Sequence, residues 1–307
     1  MADSGPPAAM YNSPIVRDNQ RFHNWSNPGL ERGLVMKILA AVFIAAAAAS
    51  AQTPQPVLFK TGAEIMDALT EKAKTKVKAS NPTNISLKDG FRILFVRRDV
   101  AGEPIVHAGA DRKAEFHYII DGTATLVTGG TIKGGTIEGG VAQVMKKGDG
   151  MFVPDGIAHW YKEADHLTYL EVSFAPPASG QQSVIFKTGA EMEAAIRQNA
   201  IEKAKANNPT NPSVRFIVGD NYYVAYIGRD VPGNPLLHVG SDKKTELHYL
   251  IDGSATMVTG GTINGKIVEG GESRLLTKGD VMLVPDGVVH WYKEAGPVRY
   301  IEIGFQR

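Results

Sequence analysis

The chain contains no cysteine. Disulfides, thiolate nucleophiles and zinc–thiolate sites are thereby excluded, so any bound metal must be held by nitrogen and oxygen. A charge excess of one sign is missing as well: 33 Lys and Arg stand against 32 Asp and Glu, a net +1 with His neutral. That balance leaves no electrostatic footprint for nucleic acid or an anionic membrane, and a small molecule becomes the expected partner. The apolar run from Ile38 to Ala49 is about a dozen residues, short of the ~20 that span a bilayer. No stable membrane span is expected.

The same run has the order of a targeting segment. Lys37 precedes it, and Ala49-Ser50-Ala51 before Gln52 supplies the small-x-small pattern of a secretory cleavage site. Residues 36–51 are therefore read as a cleaved signal peptide, which makes the mature protein periplasmic or secreted. Residues 1–35 are polar, rich in Pro, Asn and Arg and without apolar periodicity; they read as a disordered extension or as sequence ahead of a true start at Met36.

What the chain does contain, it contains twice. EFHYIIDGTATLVTGG (Glu115 to Gly130) returns as ELHYLIDGSATMVTGG (Glu246 to Gly261), and KGDGMFVPDGIAHWYKEA returns as KGDVMLVPDGVVHWYKEA at the same offset of 131 residues, from His159 to His290. A repeat of this size, in a chain of 307 residues with 43% apolar residues, indicates two modules, here 52–178 and 179–307. Each opens on a short helix: Thr61-Gly-Ala-Glu64 and Thr188-Gly-Ala-Glu191 match a capping box, followed by helical spacing of Ile65 and Leu69 and of Met192 and Ile196. The helices are expected to stop before Asn81-Pro82 and Asn208-Pro209. Downstream, short runs of Val, Ile, Tyr, Phe and Thr alternate with Gly-Gly, Asp-Gly and Pro-Asp-Gly turns. That pattern predicts an all-β barrel or sandwich, with the glycine runs near 129–140 and 260–271 as hairpin turns.

A Glu strand ending in Gly (Glu115 to Gly122, Glu246 to Gly253), paired with GD-x4-P-x-G-x2-H (Gly148 to His159, Gly279 to His290), resembles the cupin superfamily. The duplication resembles a bicupin. The resemblance implies two tandem jelly-roll barrels, each preceded by a short helix, and a divalent metal held by three His and one Glu at each barrel mouth. It places Glu115, His159, Glu246 and His290 on ligand positions. The His-x-His of the usual first motif is absent, since His107-Ala-Gly109 and His238-Val-Gly240 put Gly at the second His. His117 and His248, two residues after the Glu and on the same strand face, are the replacement candidates. The set is then His107, Glu115, His117, His159 and His238, Glu246, His248, His290. Two residues along a strand is ~6.6 Å, so His117 and His248 are open to three roles: ligand, proton shuttle behind the ligands, or packing.

Imidazole and carboxylate suit Fe, Mn, Ni, Cu or Zn, up to one ion per module. Tyr161 and Tyr292 share the inward face with His159 and His290 and are candidate proton donors or packing residues. Arg98 and Arg229, nine residues before the first His of each copy, are candidates for a substrate carboxylate or for surface pairs with Asp99 and Asp230. Phe116, Tyr118 and Ile120, with Leu247, Tyr249 and Ile251, form the opposite face of the Glu strands. Their bulk predicts that this face is covered, by the other module or by a homodimer. Gly260 to Lys266 fits G-x4-GK, but Ile267 follows and no helix does, so it is not a phosphate loop. No serine sits in a nucleophile elbow. The expected function is a metal-dependent oxidoreductase (dioxygenase) or decarboxylase acting on a small polar organic molecule; the alternative is a binding protein that captures a metal or small ligand.

Overall fold

The computed structural model describes residues 56–75, 80–88, 90–175, 183–207, 211–219 and 221–306. The extension, the signal segment, the module junction at 178/179 and Asn208-Pro209 lie outside them. The first module runs β1 (Leu58–Lys60), α1 (Gly62–Thr75), β2 (Asn81–Lys88), β3 (Phe91–Arg98), β4 (Ala114–Thr128), β5 (Thr131–Lys133), β6 (Thr136–Glu138), β7 (Val141–Lys146), β8 (Gly150–Val153) and β9 (His159–Phe174). The second repeats it as β10 (Ile185–Lys187), α2 (Gly189–Lys205), β11 (Ser213–Val218), β12 (Tyr222–Arg229), β13 (Lys244–Asp252), β14 (Ser254–Thr259), β15 (Thr262–Asn264), β16 (Ile267–Glu269), β17 (Glu272–Thr277), β18 (Val281–Val284), β19 (His290–Ala295) and β20 (Val298–Gln306).

Both capping boxes form. Thr188 Oγ1 accepts from the Glu191 amide while the Glu191 carboxylate accepts from the Thr188 amide, and Thr61 and Glu64 do the same at 3.1 and 2.8 Å. Ile65, Leu69, Met192 and Ile196 are buried, as the spacing requires. Pro82 lies inside β2, so α1, described as far as Thr75, ends ahead of it. The glycine runs are hairpins, β5 with β6 and β15 with β16.

Among the described residues the second module has two main sheets, β1-β18-β13-β20-β12-β11 and β17-β14-β19. In the first module the same two layers are joined, because β4 and β9 run unbroken where Gly253 and Gly296-Pro297 divide their counterparts. A proline removes a ladder donor, which accounts for the break between β19 and β20. β9 continues through His166 at φ 45° instead.

The first strand of each module joins the sheet of the other. β1 pairs antiparallel with β18, Leu58 opposite Leu283, and β10 pairs with β8, Ile185 opposite Phe152. The motif aspartates tie this exchange. Asp280 Oδ1 accepts from the Gly62 amide at the start of α1 (2.9 Å) and its Oδ2 from Thr277 (2.8 Å), and Asp149 does the same for Gly189 and Lys146 (both 3.0 Å). The approach needs glycine on both sides: a Cβ on Gly62 would stand 2.9 Å from the Gly279 Cα.

The bulky outer faces of β4 and β13 meet in one core between the modules. Phe116, Tyr118, Leu247 and Tyr249 are buried there, with Ile120 and Ile251 packed against them. Tyr118 faces its own counterpart Tyr249 at 6.1 Å, and the equivalent pairs Phe91–Phe305 (4.0 Å) and Phe174–Tyr222 (4.2 Å) stack on either side. The cover is therefore the other module. Each module keeps a second apolar cluster inside its own two layers.

Candidate metal centre

The register of β3, β9 and β4 aligns the inward side chains of the first module in rows. Arg92, Ser173 and Glu115 form one row, Leu94, Glu171 and His117 the next, Val96, Tyr169 and Ile119 the third. β12, β20 and β13 repeat this as Tyr223, Gly304, Glu246, then Ala225, Glu302, His248, then Ile227, Tyr300, Leu250. His107 and His159 come to the first row from the loop after β3 and from the start of β9. An isolated bridge between Ile105 and His159 holds the two segments together, as Leu236 and His290 are held in the second module.

Here His107 Nε2 lies 3.1 Å from Glu115 Oε1 and His159 Nε2 3.1 Å from Glu115 Oε2. In the second module His238 and His290 stand 3.3 and 3.0 Å from the Glu246 carboxylate. All six side chains are buried. Each trio, His107-Glu115-His159 and His238-Glu246-His290, offers one ligand atom per residue within 4.8 Å of the others. His117 and His248 share the strand face with the glutamates, as alternation requires. They lie deeper, with Nε2 3.3 and 3.7 Å from the carboxylate and Nδ1 3.9 Å from Glu302 in the second module. Geometrically they group with Glu115 and Glu171, and with Glu246 and Glu302.

The donor set fits a cation. His107 Nδ1 is 2.7 Å from Asp111 Oδ2, and His238 Nδ1 is 2.7 Å from Asp242 Oδ2. A neutral imidazole that donates Nδ1–H to aspartate turns a lone pair on Nε2 toward a carboxylate oxygen, so two acceptors face each other. A proton or a metal ion between them removes the conflict. In the second module His238 Nε2, His248 Nε2, His290 Nε2 and Glu246 Oε2 are all buried without a hydrogen-bond partner. Four orphaned donor atoms around one point are what nitrogen and oxygen ligands of a transition ion look like before the ion is added. The position of the missing second histidine, Gly109, opens a 3-10 turn, Gly109–Asp111, that carries the aspartate back to the first.

Charge in the site is set by burial against hydrogen bonding. Burial alone would raise Glu115 and Glu246, but the imidazoles that face them hold both below the usual carboxylate range. Burial opposes the cationic form of His107 and His238, yet Glu115 with Asp111, and Glu246 with Asp242, raise both imidazoles. Burial drives His248 down to about 3. Glu302 moves the other way, to about 7, through burial and the Glu246 charge, and Glu171 is raised for the same reasons.

Tyr161 and Tyr292 do point inward. Tyr161 Oη is 2.8 Å from His117 Nδ1 and Tyr292 Oη 3.2 Å from His248 Nδ1, and burial pushes both phenols well above their ordinary range. They meet the histidines as neutral hydroxyls. Arg98 and Arg229 turn toward buried tyrosines. It is Arg97 that pairs with Asp99 (3.3 Å) and Arg299 that lies by Asp230 (3.8 Å). Arg98 Nε donates to Tyr169 Oη (3.1 Å) with its head 5.3 Å from the Tyr161 ring centre, and Arg229 donates to Tyr300 (3.2 Å) and lies 4.8 Å from the Tyr292 ring centre.

A cleft of about 210 Å³ reaches the first trio, bounded by Arg92, Arg98, Lys113, Glu171, Trp160 and Tyr161 among others. Arg92 and Tyr223, Glu171 and Glu302, and Asp111 and Asp242 were not picked out by sequence reasoning. A glutamate repeated in the otherwise apolar segments TYLEVSF and RYIEIGF was the available signal for one pair, and an aspartate four residues after each first histidine for another.

No family model matches the chain, and no curated protein does. Solved structures do match. Salicylate 1,2-dioxygenase from Pseudaminobacter salicylatoxidans superposes with a TM-score of 0.63 over 90% of this chain and 95% of its own, at 9% identity. A cupin 2 conserved barrel domain protein from Leptotrichia buccalis gives 0.53 over 83% and 97%, at 11% identity. The fold is that of a bicupin. A tryptophan-to-tyrosine variant of the same dioxygenase, solved in complex with gentisate, matches with a TM-score of 0.62 and 9% identity over 91% of this chain and 94% of its own.

Proposed function

We propose that this bicupin is an exported metal-dependent enzyme that acts on a small polar organic molecule by dioxygenase- or decarboxylase-type chemistry. The observation that carries the metal is the convergence of buried imidazole and carboxylate atoms in both modules, left without hydrogen-bond partners in the second. His107, Glu115 and His159 would hold one ion and His238, Glu246 and His290 the other, with His117 and His248 behind them. A bound Fe, Mn, Ni, Cu or Zn would supply Lewis acidity, and Fe or Mn also redox chemistry toward dioxygen.

The chain's own residues do the rest. Asp111 and Asp242 hold the first histidines in the tautomer that turns Nε2 inward. The Tyr161 hydroxyl, 2.8 Å from His117 Nδ1, gives a proton path that leads away from the carboxylate. Arg98 packs against this pair and fixes the Tyr169 hydroxyl. The cleft of about 210 Å³ limits the substrate to a small molecule. The gentisate complex of a structural neighbour agrees with that size class.

Elemental analysis of the purified protein tests the reading. About two equivalents of one transition metal are expected for residues 52–307, one in His159→Ala and none in the double variant with His290→Ala. Protein produced in an exporting host should begin at Gln52. Metal-free wild type after supplementation, beside variants that fold normally, would leave a ligand-binding barrel instead of a metalloenzyme.

A further inference from the structure

The two modules keep the same trio but not the same neighbour in the first row. Position 92 is arginine and its repeat, 223, is tyrosine; the residue directly across the strand is Ser173 in one copy and Gly304 in the other. The exchanges go together. The Tyr223 ring lies flat over Gly304, where a Cβ would come within 2.1 Å of Tyr223 Cε1, so tyrosine at 223 demands glycine at 304. Arg92 has no such need, and its Nη2 reaches Ser173 Oγ at 3.4 Å.

The consequence for each site differs. Tyr223 Oη sits 2.7 Å from Glu246 Oε1 and 2.9 Å from Glu302 Oε1, bridging ligand and deeper carboxyl, while the Arg215 head covers its ring at 4.1 Å. The row is filled by the protein itself. Arg92 bridges the equivalent carboxylates less tightly, 3.1 Å from Glu171 and 3.7 Å from Glu115, and its side chain is 36% exposed. Its Nε is buried with no hydrogen-bond partner. With Asp111 and Lys113 it also forms the wall shared by the cleft over the trio and a second cavity of about 320 Å³ lined by Arg112. A part-exposed guanidinium with loose carboxylate contacts, at the boundary of two cavities, is placed to take an oxyanion.

We infer that the residue pair 92/173 against 223/304 decides which module accepts an exogenous ligand: the first binds a small carboxylate through Arg92, and the second is sealed by Tyr223 and holds its ion without substrate. The inference rests on the metal occupancy argued above.

Exchanging the pairs tests it. The protein is loaded with Co2+, its metal content is measured, and benzoate is titrated while the visible Co2+ spectrum and the binding heat are followed. The wild type should bind one benzoate per chain at two loaded ions. Arg92→Tyr with Ser173→Gly should retain both ions and weaken benzoate about tenfold or more, and Tyr223→Arg with Gly304→Ser should add a second binding event. Two benzoates on the wild type, none on it, or unchanged affinity in the first double variant would each overturn the inference while leaving the metal reading intact. Failure of the wild type to load Co2+ would overturn both. Because the first double variant decides alone, poor folding of the second leaves the test standing.

Discussion

Tyr223 has one hydroxyl proton and two carboxyl oxygens within 3 Å, so one of the two glutamates must itself bring a proton. Glu302 is that group, its affinity for a proton raised to about 7 by burial and by Glu246. Between its ordinary value of 4.5 and about 7 the folded protein holds a proton on Glu302 that the unfolded chain releases. This contribution to stability therefore falls as pH rises through that window. Glu302→Gln keeps the site neutral and removes the dependence. Urea denaturation of the metal-free protein should show the variant gaining on the wild type from pH 4.5 to about 7 and levelling off above; a difference that is constant with pH would rule this out. Ligand-type residues such as His107, Glu115 and His159 were legible in the sequence because the repeat displays their side-chain chemistry twice at one spacing. Glu302 and Tyr223 were not, because they reach the site only through the register of β12, β20 and β13, and because the copies differ at 92 and 223.

At the scale of elements, the helix starts and hairpin turns were readable because their causes are local. Thr and Glu three residues apart make a capping box whatever surrounds them. The role of the motif aspartates was not readable. The GD turn looks like ordinary turn chemistry, yet Asp280 accepts from the amide of Gly62, which is 218 residues away in the chain. Hydrogen bonds to an ionised group contribute about 1.5–3 kcal/mol each. Asp280→Ala is expected to cost about 2–4 kcal/mol in chemical denaturation, since it loses the contacts to both Thr277 and Gly62. Limited proteolysis should also begin to cut within β1 and α1. Loss of stability without that cleavage would mean the aspartate serves only its own turn.

For the whole molecule, the all-β tandem architecture and the covered outer face were legible, the latter because large apolar residues on both faces of a strand require two layers. The strand exchange left no local trace, since β1 and β10 are three residues long. The contacts across the centre are isologous, with Tyr118 on Tyr249 and Phe91–Phe305 mirrored by Phe174–Tyr222. FKTGAE is moreover identical at 59–64 and 186–191. A chain of residues 179–307 alone therefore carries what it needs to complete a second copy of itself. Light scattering should find it as a dimer, and a folded monomer would show that the exchanged strand is dispensable. In the full-length protein, covalent linkage replaces that association, so dilution cannot part the halves. The same linkage imposes an order in time. Leu58 pairs with Leu283, so the earliest of the described strands to leave the ribosome waits for one of the last three. At ~5–20 residues per second the interval is roughly 10–45 s. Throughout it, the first strand has no sheet to join.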